Sequence, residues 1–247
     1  MIRRTACVLL VILAVARAAD AFVLTGDKWP QANLGDQITI TYSYSNAFDG
    51  GLLDQNNQPV PQSVIRSSVV EALSLWASVA PLNFVEVPDH GPTASDNEYA
   101  ISPGDPEIRI GHHYIDGFGN YKAHAYYPFS TTSGLAGDVH FDDSDRWNVI
   151  GTLTYPDLLG CAEHELGHSL GLDHSADPTA VMYPTFQRMS GPGTGYLTAD
   201  DIAGIRAIYG AGVGSVTPLP EPSTVVLAAI GVGLALGSRA YRQRIAM

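Results

Sequence analysis

Residues 164–174 constrain the fold of this chain more than any other part of its sequence. They read His-Glu-Leu-Gly-His-Ser-Leu-Gly-Leu-Asp-His. Two histidines four residues apart project from one face of a helix, so the rings of His164 and His168 can meet at one point. Gly171 predicts the end of that helix, because glycine tolerates the left-handed backbone of a sharp turn. After such a turn we expect His174 to return beside the other two rings.

This spacing favours a metal site over ordinary polar side chains. Neutral imidazole is a good zinc ligand, and Glu165 follows the first histidine closely enough to reach a metal-bound water. Three protein ligands leave one coordination position open for water, which is typical of catalytic zinc. A single histidine is more often an ordinary polar residue, but the full pattern is a strong signal. We predict that His164, His168 and His174 bind zinc and that Glu165 is the general base.

The full pattern resembles the metzincin signature. Metzincins also carry a methionine turn beneath the metal, and residues 180–184 read Ala-Val-Met-Tyr-Pro. The Met-Tyr-Pro order around Met182 is similar to that of the matrixin branch, the matrix metalloproteinases and their bacterial relatives. The resemblance covers about residues 28–210. It implies an α+β fold, the metzincin or zincin catalytic domain, with three helices and a twisted, mostly parallel sheet of about five strands.

Hydrophobic periodicity is consistent with this fold class. Ile65, Val69, Leu73 and Trp76 fall on one face of a predicted helix over residues 61–79. Strands are predicted at residues 38–44, 83–87, 108–111, 123–127 and 138–141, and further helices at 156–170 and 200–209. Thr198 is the expected cap of the last helix, and Gly210 its expected end.

Composition limits the partners of the chain. It has 247 residues and a formal net charge of −12, and six of its thirteen basic residues lie near the two ends. The acidic body argues against nucleic-acid binding and suits calcium. Cys7 lies in a segment that we expect to be removed, which leaves Cys161 without an intramolecular disulfide partner. We expect a monomer.

Residues 1–18 have the pattern of a secretory signal peptide. Arg3 and Arg4 form a basic start, residues 8–15 are apolar, and residues 16–18 read Ala-Arg-Ala, an A-x-A cleavage site. The alternative is a short membrane helix, but the apolar run is too short to span a bilayer comfortably. We predict export by the Sec route, followed by a metallopeptidase domain over residues 19–210.

Residues 220–247 resemble the PEP-CTERM sorting signal of Gram-negative bacteria. They begin Pro-Glu-Pro, continue with an apolar stretch at 224–237 and end with three arginines. The alternative is a hydrophobic helix packed on the domain, which the absence of a polar face disfavours. The resemblance implies transient anchoring in the inner membrane by a short transmembrane helix, and removal of the tail by an exosortase. The mature protein would then lie at the cell surface or outside the cell. Residues 211–219 are the expected linker.

The family resemblance also implies a mechanism and a substrate. Zinc lowers the pKa of its bound water to about 7 and polarises the substrate carbonyl. Glu165 takes the water proton and delivers it to the leaving amine. Proteins or peptides would bind extended along the edge strand near residues 122–125.

The resemblance places the main specificity pocket beside the zinc, under Pro184 and Phe186. Gly160 matches the helix position that sets pocket depth in relatives. A deep pocket would favour cleavage before a large apolar residue. The alternative for Gly160 is helix packing, or fraying near the helix start.

An oxygen-rich loop predicts a calcium site. Asp116-Gly117 precedes His124 by the family spacing, and a second calcium site is predicted near Asp138, with Gly134 and Ala136. A solvated acidic loop is the alternative. The predicted ligands of the first site are Asp116, Gly117, Gly119, Tyr121, Asp142 and Asp145.

The sequence also predicts a second, structural zinc site, but one of its expected ligands is missing. Relatives use three histidines and an aspartate that lies two residues after the first histidine. His124 and His140 match, and either His112 or His113 could be the first. Tyr114 and Ile115 stand where the aspartate belongs, so the site could be three-coordinate with water, altered or absent.

Two functions remain open on the sequence alone. The first is a secreted zinc endopeptidase, and the second is a catalytically silent zinc-binding protein of the surface or biofilm matrix. An intact Glu165 favours the enzyme, because a degenerate site would tend to lose its base.

Overall fold

The structure is a computed structural model that describes residues 21–128, 134–148, 157–185, 191 and 193–219. The predicted signal peptide (1–18), the predicted sorting segment (220–247) and Phe186 lie outside the described residues. Within the described part, no helix combines the length and the apolar character that a membrane span requires.

Three helices and ten short strands make up the described chain. The first strands and helix are β1 (Val23–Leu24), β2 (Ile38–Tyr44), β3 (Leu53–Asp54), α1 (Gln62–Val79) and β4 (Leu82–Glu86). They are followed by β5 (Ile108–His113), β6 (Ala123–Ala125), β7 (Val139–Asp142) and β8 (Arg146–Trp147). The last elements are α2 (Leu158–Ser169), β9 (Leu172–Asp173), α3 (Ala199–Tyr209) and β10 (Ser215–Thr217).

A six-stranded sheet in the order β10-β4-β2-β5-β7-β6 forms the centre of the fold. Its strands run parallel except β6, which pairs antiparallel with β7. The predicted α+β fold, with three helices and a mostly parallel sheet, is confirmed. The sixth strand comes from residues 211–219, where we expected a linker: Ser215, Val216 and Thr217 pair with β4.

The helix α1 covers the sheet with the face that periodicity predicted. Ile65, Val69, Leu73 and Trp76 are all at most 2% exposed. A fully buried side chain of this size contributes about 1.5–3 kcal/mol. The indole N–H of Trp76 donates to the Glu163 carbonyl oxygen at 3.0 Å, so α1 is also bonded to the backbone of α2.

The helix α2 is buried along its whole length and carries the predicted metal ligands. Asp157 caps its start by accepting the backbone N–H of Gly160 at 2.9 Å. Its end is fixed by Gly171, which has a φ of +99°. A Cβ at Gly171 would lie 2.3 Å from the Asp27 carbonyl oxygen, so both the backbone angle and the neighbouring chain require glycine there.

The helix α3 closes the domain and supports the turn before it. Thr198 and Asp201 form the reciprocal capping arrangement at its start, and Gly210 ends it. The buried Asp201 carboxylate also accepts the backbone N–H groups of Val181 and Met182, at 3.0 and 3.1 Å. The methionine turn is therefore bonded directly to α3.

Candidate metal centre and substrate cleft

The rings of His164, His168 and His174 converge on one point. Their Nε2 atoms lie 3.1 Å (His164 to His168), 3.2 Å (His168 to His174) and 3.3 Å (His164 to His174) apart. Zinc–nitrogen bonds are about 2.0–2.1 Å, so two nitrogen ligands of a tetrahedral zinc lie about 3.3 Å apart. The triangle of nitrogen atoms thus has the size that a zinc ion requires.

Backbone carbonyls fix the orientation of two of these rings. Val181 O lies 2.7 Å from Nδ1 of His164, and Leu172 O lies 2.8 Å from Nδ1 of His168. A carbonyl oxygen only accepts, so each Nδ1 carries the proton and each Nε2 presents its lone pair. Burial lowers the pKa of His164 to about 3 and that of His168 to about 4. Both rings are therefore neutral, as metal binding requires.

Glu165 lies in the same cleft, one residue after the first ring of the triad. Its side chain is buried, and burial raises its carboxyl pKa to about 8. A carboxyl group with such a pKa is suited to exchanging protons near neutral pH.

Met182 is 1% exposed and directly follows Val181, whose carbonyl is bonded to His164. A Cβ on Gly167 would lie only 2.2 Å from the Met182 sulfur, so this turn packs directly against α2. The carbonyl of Met182 accepts the backbone N–H of Ser175 at 2.7 Å. The methionine turn thus contacts both α2 and the segment that follows His174.

A cleft of about 740 Å³ runs between β6 and α2, over the three rings. Lys122, Ala123 and Ala125 line it on the strand side, and Cys161 and Pro184 line it near the predicted pocket. Cys161 is buried, which raises the pKa of its thiol and disfavours a nucleophilic role.

Of the two predicted pocket residues that the structure describes, Pro184 lines the cleft, whereas Gly160 does not. It is buried at the start of α2, where its backbone N–H is bonded to the Asp157 cap. Its neighbour Cys161 is the residue that lines the cleft. That hydrogen bond uses only the backbone N–H, which every residue except proline offers, so a role of Gly160 in pocket depth stays a prediction.

A second cluster consists of Asp96, His113, His124 and His140. The Asp96 carboxylate lies 3.0 Å from Nε2 of His124, 3.4 Å from Nε2 of His113 and 3.8 Å from Nδ1 of His140. Nε2 of His113 lies 3.2 Å from Nδ1 of His140. Burial lowers the pKa of His140 to about 3, so its ring is neutral. Three imidazoles and one carboxylate form a complete tetrahedral ligand set.

The structure separates the two candidates for the first histidine of this cluster. His112 and His113 are adjacent in β5 and therefore point to opposite faces of the sheet. His113 joins the cluster, whereas Nε2 of His112 lies 2.8 Å from Asp49. His112 is not a member of the cluster.

Asp96 is the residue that the sequence reasoning missed. It lies in an irregular acidic loop, 57% of its side chain is exposed, and it precedes His113 rather than following it. Asp89 and Asp105 lie in the same polar loop and look equally suitable as ligands in the sequence. Only the folded path of the loop shows that Asp96 is the aspartate beside the three histidines.

The backbone of the predicted calcium loop is hydrogen-bonded to Asp142 and Asp145. Asp142 accepts the backbone N–H of Ser144 at 2.8 Å and that of Asp116 at 3.3 Å. Asp145 accepts the backbone N–H of Gly119 at 3.0 Å. One oxygen each of Asp116 and Asp145 is buried without a hydrogen-bond partner. Buried carboxylate oxygens need a partner, and calcium is a suitable one.

Asp138 has other partners. Its Oδ1 accepts the backbone N–H of Arg109 at 3.0 Å, and its Oδ2 accepts the hydroxyl of Tyr99 at 3.1 Å. Nη1 of Arg109 lies 4.0 Å from Oδ2, and the single Tyr99 hydroxyl proton is shared between Oδ2 and the carbonyl oxygen of Gly134. Both oxygens of Asp138 thus have partners within the protein, whereas the close carboxylate partner of Arg109 is Asp89, at 2.7 and 2.8 Å. The second calcium site near Asp138 stays a prediction.

Comparison with known proteins gives the family. The model of the Matrixin peptidase family matches residues 39–210. Matrix metalloproteinase-16 of Rattus norvegicus is 36% identical over 195 residues, which cover 76% of this chain and 28% of the relative. Stromelysin-1 of Mus musculus is 36% identical over 178 residues, which cover 68% of this chain and 32% of the relative. Matrix metalloproteinase-18 of Xenopus laevis is 36% identical over 165 residues, which cover 67% of this chain and 32% of the relative.

The chain spans about a third of the length of these curated relatives. The matched region contains all three rings of the metal triad, Glu165 and Met182. The family that the sequence pattern predicted is confirmed: this chain belongs to the matrixins.

Proposed function

We propose that this protein is an exported zinc endopeptidase that hydrolyses peptide bonds. The observation that carries the proposal is the triangle of Nε2 atoms of His164, His168 and His174, 3.1–3.3 Å apart. Glu165 lies beside it in an open cleft. No cysteine or serine nucleophile is needed for this reaction.

Zinc, when bound at the triad, lowers the pKa of a coordinated water to about 7 and polarises the scissile carbonyl. Glu165 accepts a proton as the water oxygen attacks the carbonyl carbon, and passes that proton to the leaving nitrogen. The C–N bond breaks, the second proton of the water also moves to the leaving nitrogen, and the products are a carboxylate and an ammonium group.

The strand β6 gives the substrate its orientation in this proposal. It is the outermost strand of the six-stranded sheet and borders the cleft. An extended peptide can bind such an edge by adding a strand, so the backbone supplies affinity and alternate side chains enter pockets. The cleft wall near Pro184 and Cys161 is apolar, which favours cleavage before a large apolar residue.

Two further metal sites belong to the proposal. We infer a structural zinc held by Asp96, His113, His124 and His140, because these four residues form a complete zinc ligand set. We also infer a calcium ion near Asp116, Asp142 and Asp145, because one buried oxygen each of Asp116 and Asp145 has no hydrogen-bond partner.

We also propose that residues 1–18 direct export and that residues 220–247 anchor the protein transiently in the inner membrane until an exosortase removes them. The sequence patterns of the two ends support this. Mass spectrometry of the protein recovered from its native cells tests it: both ends should be shortened, whereas intact termini would overturn it.

Digestion of casein by the zinc-loaded protein tests the enzymatic proposal. The wild type should cleave casein, and a metal chelator should stop the cleavage. Glu165→Gln should keep its zinc and fold but lose about 10²–10⁴-fold of the rate, because the proton acceptor is gone. If neither the zinc-loaded wild type nor the zinc-loaded variant cleaves casein, the enzymatic proposal is wrong and the alternative of a catalytically silent zinc-binding matrix protein replaces it.

A further inference from the structure

His174 is the least buried of the three histidines of the metal triad, and its ring has the least support. It is exposed, whereas His164 and His168 are buried. Within the part of the chain that the structure describes, no backbone carbonyl is bonded to Nδ1 of His174, in contrast to the other two rings. Partners that orient a ligand contribute to metal affinity, so the contacts of the segment around His174 bear on how firmly zinc is held.

The backbone around His174 is held on both sides. The strand β9 before it pairs with β1, where Asp173 lies opposite Val23. Ser175 after it donates its backbone N–H to the Met182 carbonyl at 2.7 Å. The backbone N–H of His174 itself donates to Oδ1 of Asp173 at 2.7 Å. The Asp173 carboxylate is thus a direct partner of the third ligand's backbone.

Tyr127 contacts the same carboxylate oxygen from the strand side of the cleft. It lies two residues after β6 and lines the cleft together with His168 and His174. Its hydroxyl oxygen lies 3.3 Å from Oδ1 of Asp173. Burial and the Asp173 carboxylate raise the pKa of Tyr127 to about 12, so the hydroxyl keeps its proton and donates it. This hydrogen bond therefore connects the two sides of the cleft beside the third ligand.

The ring of Tyr127 also contacts a second ligand of the triad. Its centroid lies 5.7 Å from that of His168, and the two ring planes are 77° apart. Aromatic pairs prefer this edge-to-face arrangement. Tyr127 thus contacts His168 through its ring and reaches His174 through its hydroxyl and Asp173.

We propose that Tyr127 is a positioning residue for the zinc triad and that it acts on His174 through the carboxylate of Asp173. The inference rests on the proposed zinc site, and it adds a determinant of zinc affinity on the opposite side of the cleft from α2. Outer partners of metal ligands typically contribute about 10–100-fold to metal affinity. The hydroxyl reaches His174 through two successive hydrogen bonds, so we expect an effect at the lower end of this range.

Tyr127→Phe tests the inference, because it removes the hydroxyl but keeps the ring that contacts His168. Buffers set the free zinc concentration, and zinc per chain and casein cleavage are measured in the same samples. Tyr127→Phe should lose the zinc that supports cleavage at a free zinc concentration about 10-fold higher than the wild type does. Tyr121→Phe is the matched control, since Tyr121 lines the same cleft but is 74% exposed, and its zinc dissociation constant should equal that of the wild type.

Asp173→Ala shows whether the hydroxyl acts through the carboxylate. This variant should itself bind zinc more weakly, and Tyr127→Phe added to it should cause no further loss, because two residues that share one interaction do not act additively. A further 10-fold loss in the double variant would contradict the route through Asp173, and a wild-type zinc dissociation constant in folded Tyr127→Phe would overturn the inference. If the wild type binds zinc but cleaves nothing, the proposed function fails, whereas the shift in zinc per chain still decides this inference.

Discussion

At the residue scale, the chemistry of the site depends on how each side chain is held as well as on which residues are present. The carbonyl oxygens of Val181 and Leu172 select the ring nitrogen that faces the metal in His164 and His168. Such partners orient the ligands and are a common requirement of metal sites. The spacing of the histidines predicted that they meet, but these carbonyl partners are visible only in the fold.

Gly171 gives a prediction about stability. Gly171→Ala should cost at least about 2 kcal/mol, because alanine in the left-handed region costs about 1–2 kcal/mol and its Cβ would also clash with the Asp27 carbonyl. Gly104→Ala is the matched control, since Gly104 has a φ of +96° and open space around it. Urea unfolding should show a larger loss for Gly171→Ala; equal losses would contradict the role of the Asp27 contact.

Asp96 gives a prediction about metal content. The wild type should bind two zinc ions per chain, and Asp96→Ala should bind one, because three imidazoles without the carboxylate hold zinc more weakly. Asp105→Asn, in the same loop, should still bind two. Elemental analysis after dialysis measures this, and two tightly bound ions in Asp96→Ala would exclude Asp96 as a ligand.

At the element scale, the sequence predicted the elements that have strong local signals. The apolar face of α1, the Thr198 cap of α3 and the end of α2 at Gly171 all follow from periodicity or capping chemistry. The strand β10 was missed because three residues, Ser-Val-Thr, give too short a pattern to distinguish from a linker. Asp96 was missed for a related reason: irregular loops have no periodicity that indicates where their side chains point.

The strand β10 leads to a prediction about the boundary of the domain. It pairs with β4, and the backbone N–H of Leu219 donates to the buried carboxylate of Glu86 at 3.0 Å. A protein ending at residue 210 should therefore melt about 2–8 °C lower than one ending at residue 219, for a loss of about 1–2 kcal/mol. Calorimetry of the two proteins measures the difference, and equal melting temperatures would show that β10 does not stabilise the fold.

At the scale of the whole molecule, metals are expected to supply stability that no disulfide supplies within the described residues. Among the described residues Cys161 is a free, buried thiol, and the body is strongly acidic. The calcium loop joins the end of β5 to β7 and β8 through Asp116, Asp142 and Asp145. A bound cation there would neutralise carboxylates that otherwise repel one another.

Calcium removal gives the corresponding prediction. A calcium-selective chelator should lower the melting temperature of the zinc-loaded wild type by several degrees, and added calcium should restore it, because a ligand that binds only the folded state stabilises that state. Asp145→Asn should lose this response. Asp177→Asn, a change in an exposed turn, should keep it, and a calcium response in Asp145→Asn equal to that of the wild type would argue against the proposed site.

The central claim is that His164, His168 and His174 hold one zinc ion with Glu165 beside it. Anomalous diffraction at the zinc absorption edge, from crystals of the zinc-loaded protein, tests it most directly. We predict a strong peak about 2.0–2.1 Å from the Nε2 atoms of all three rings. The absence of a peak there, or rings turned away from a common point, would contradict the account.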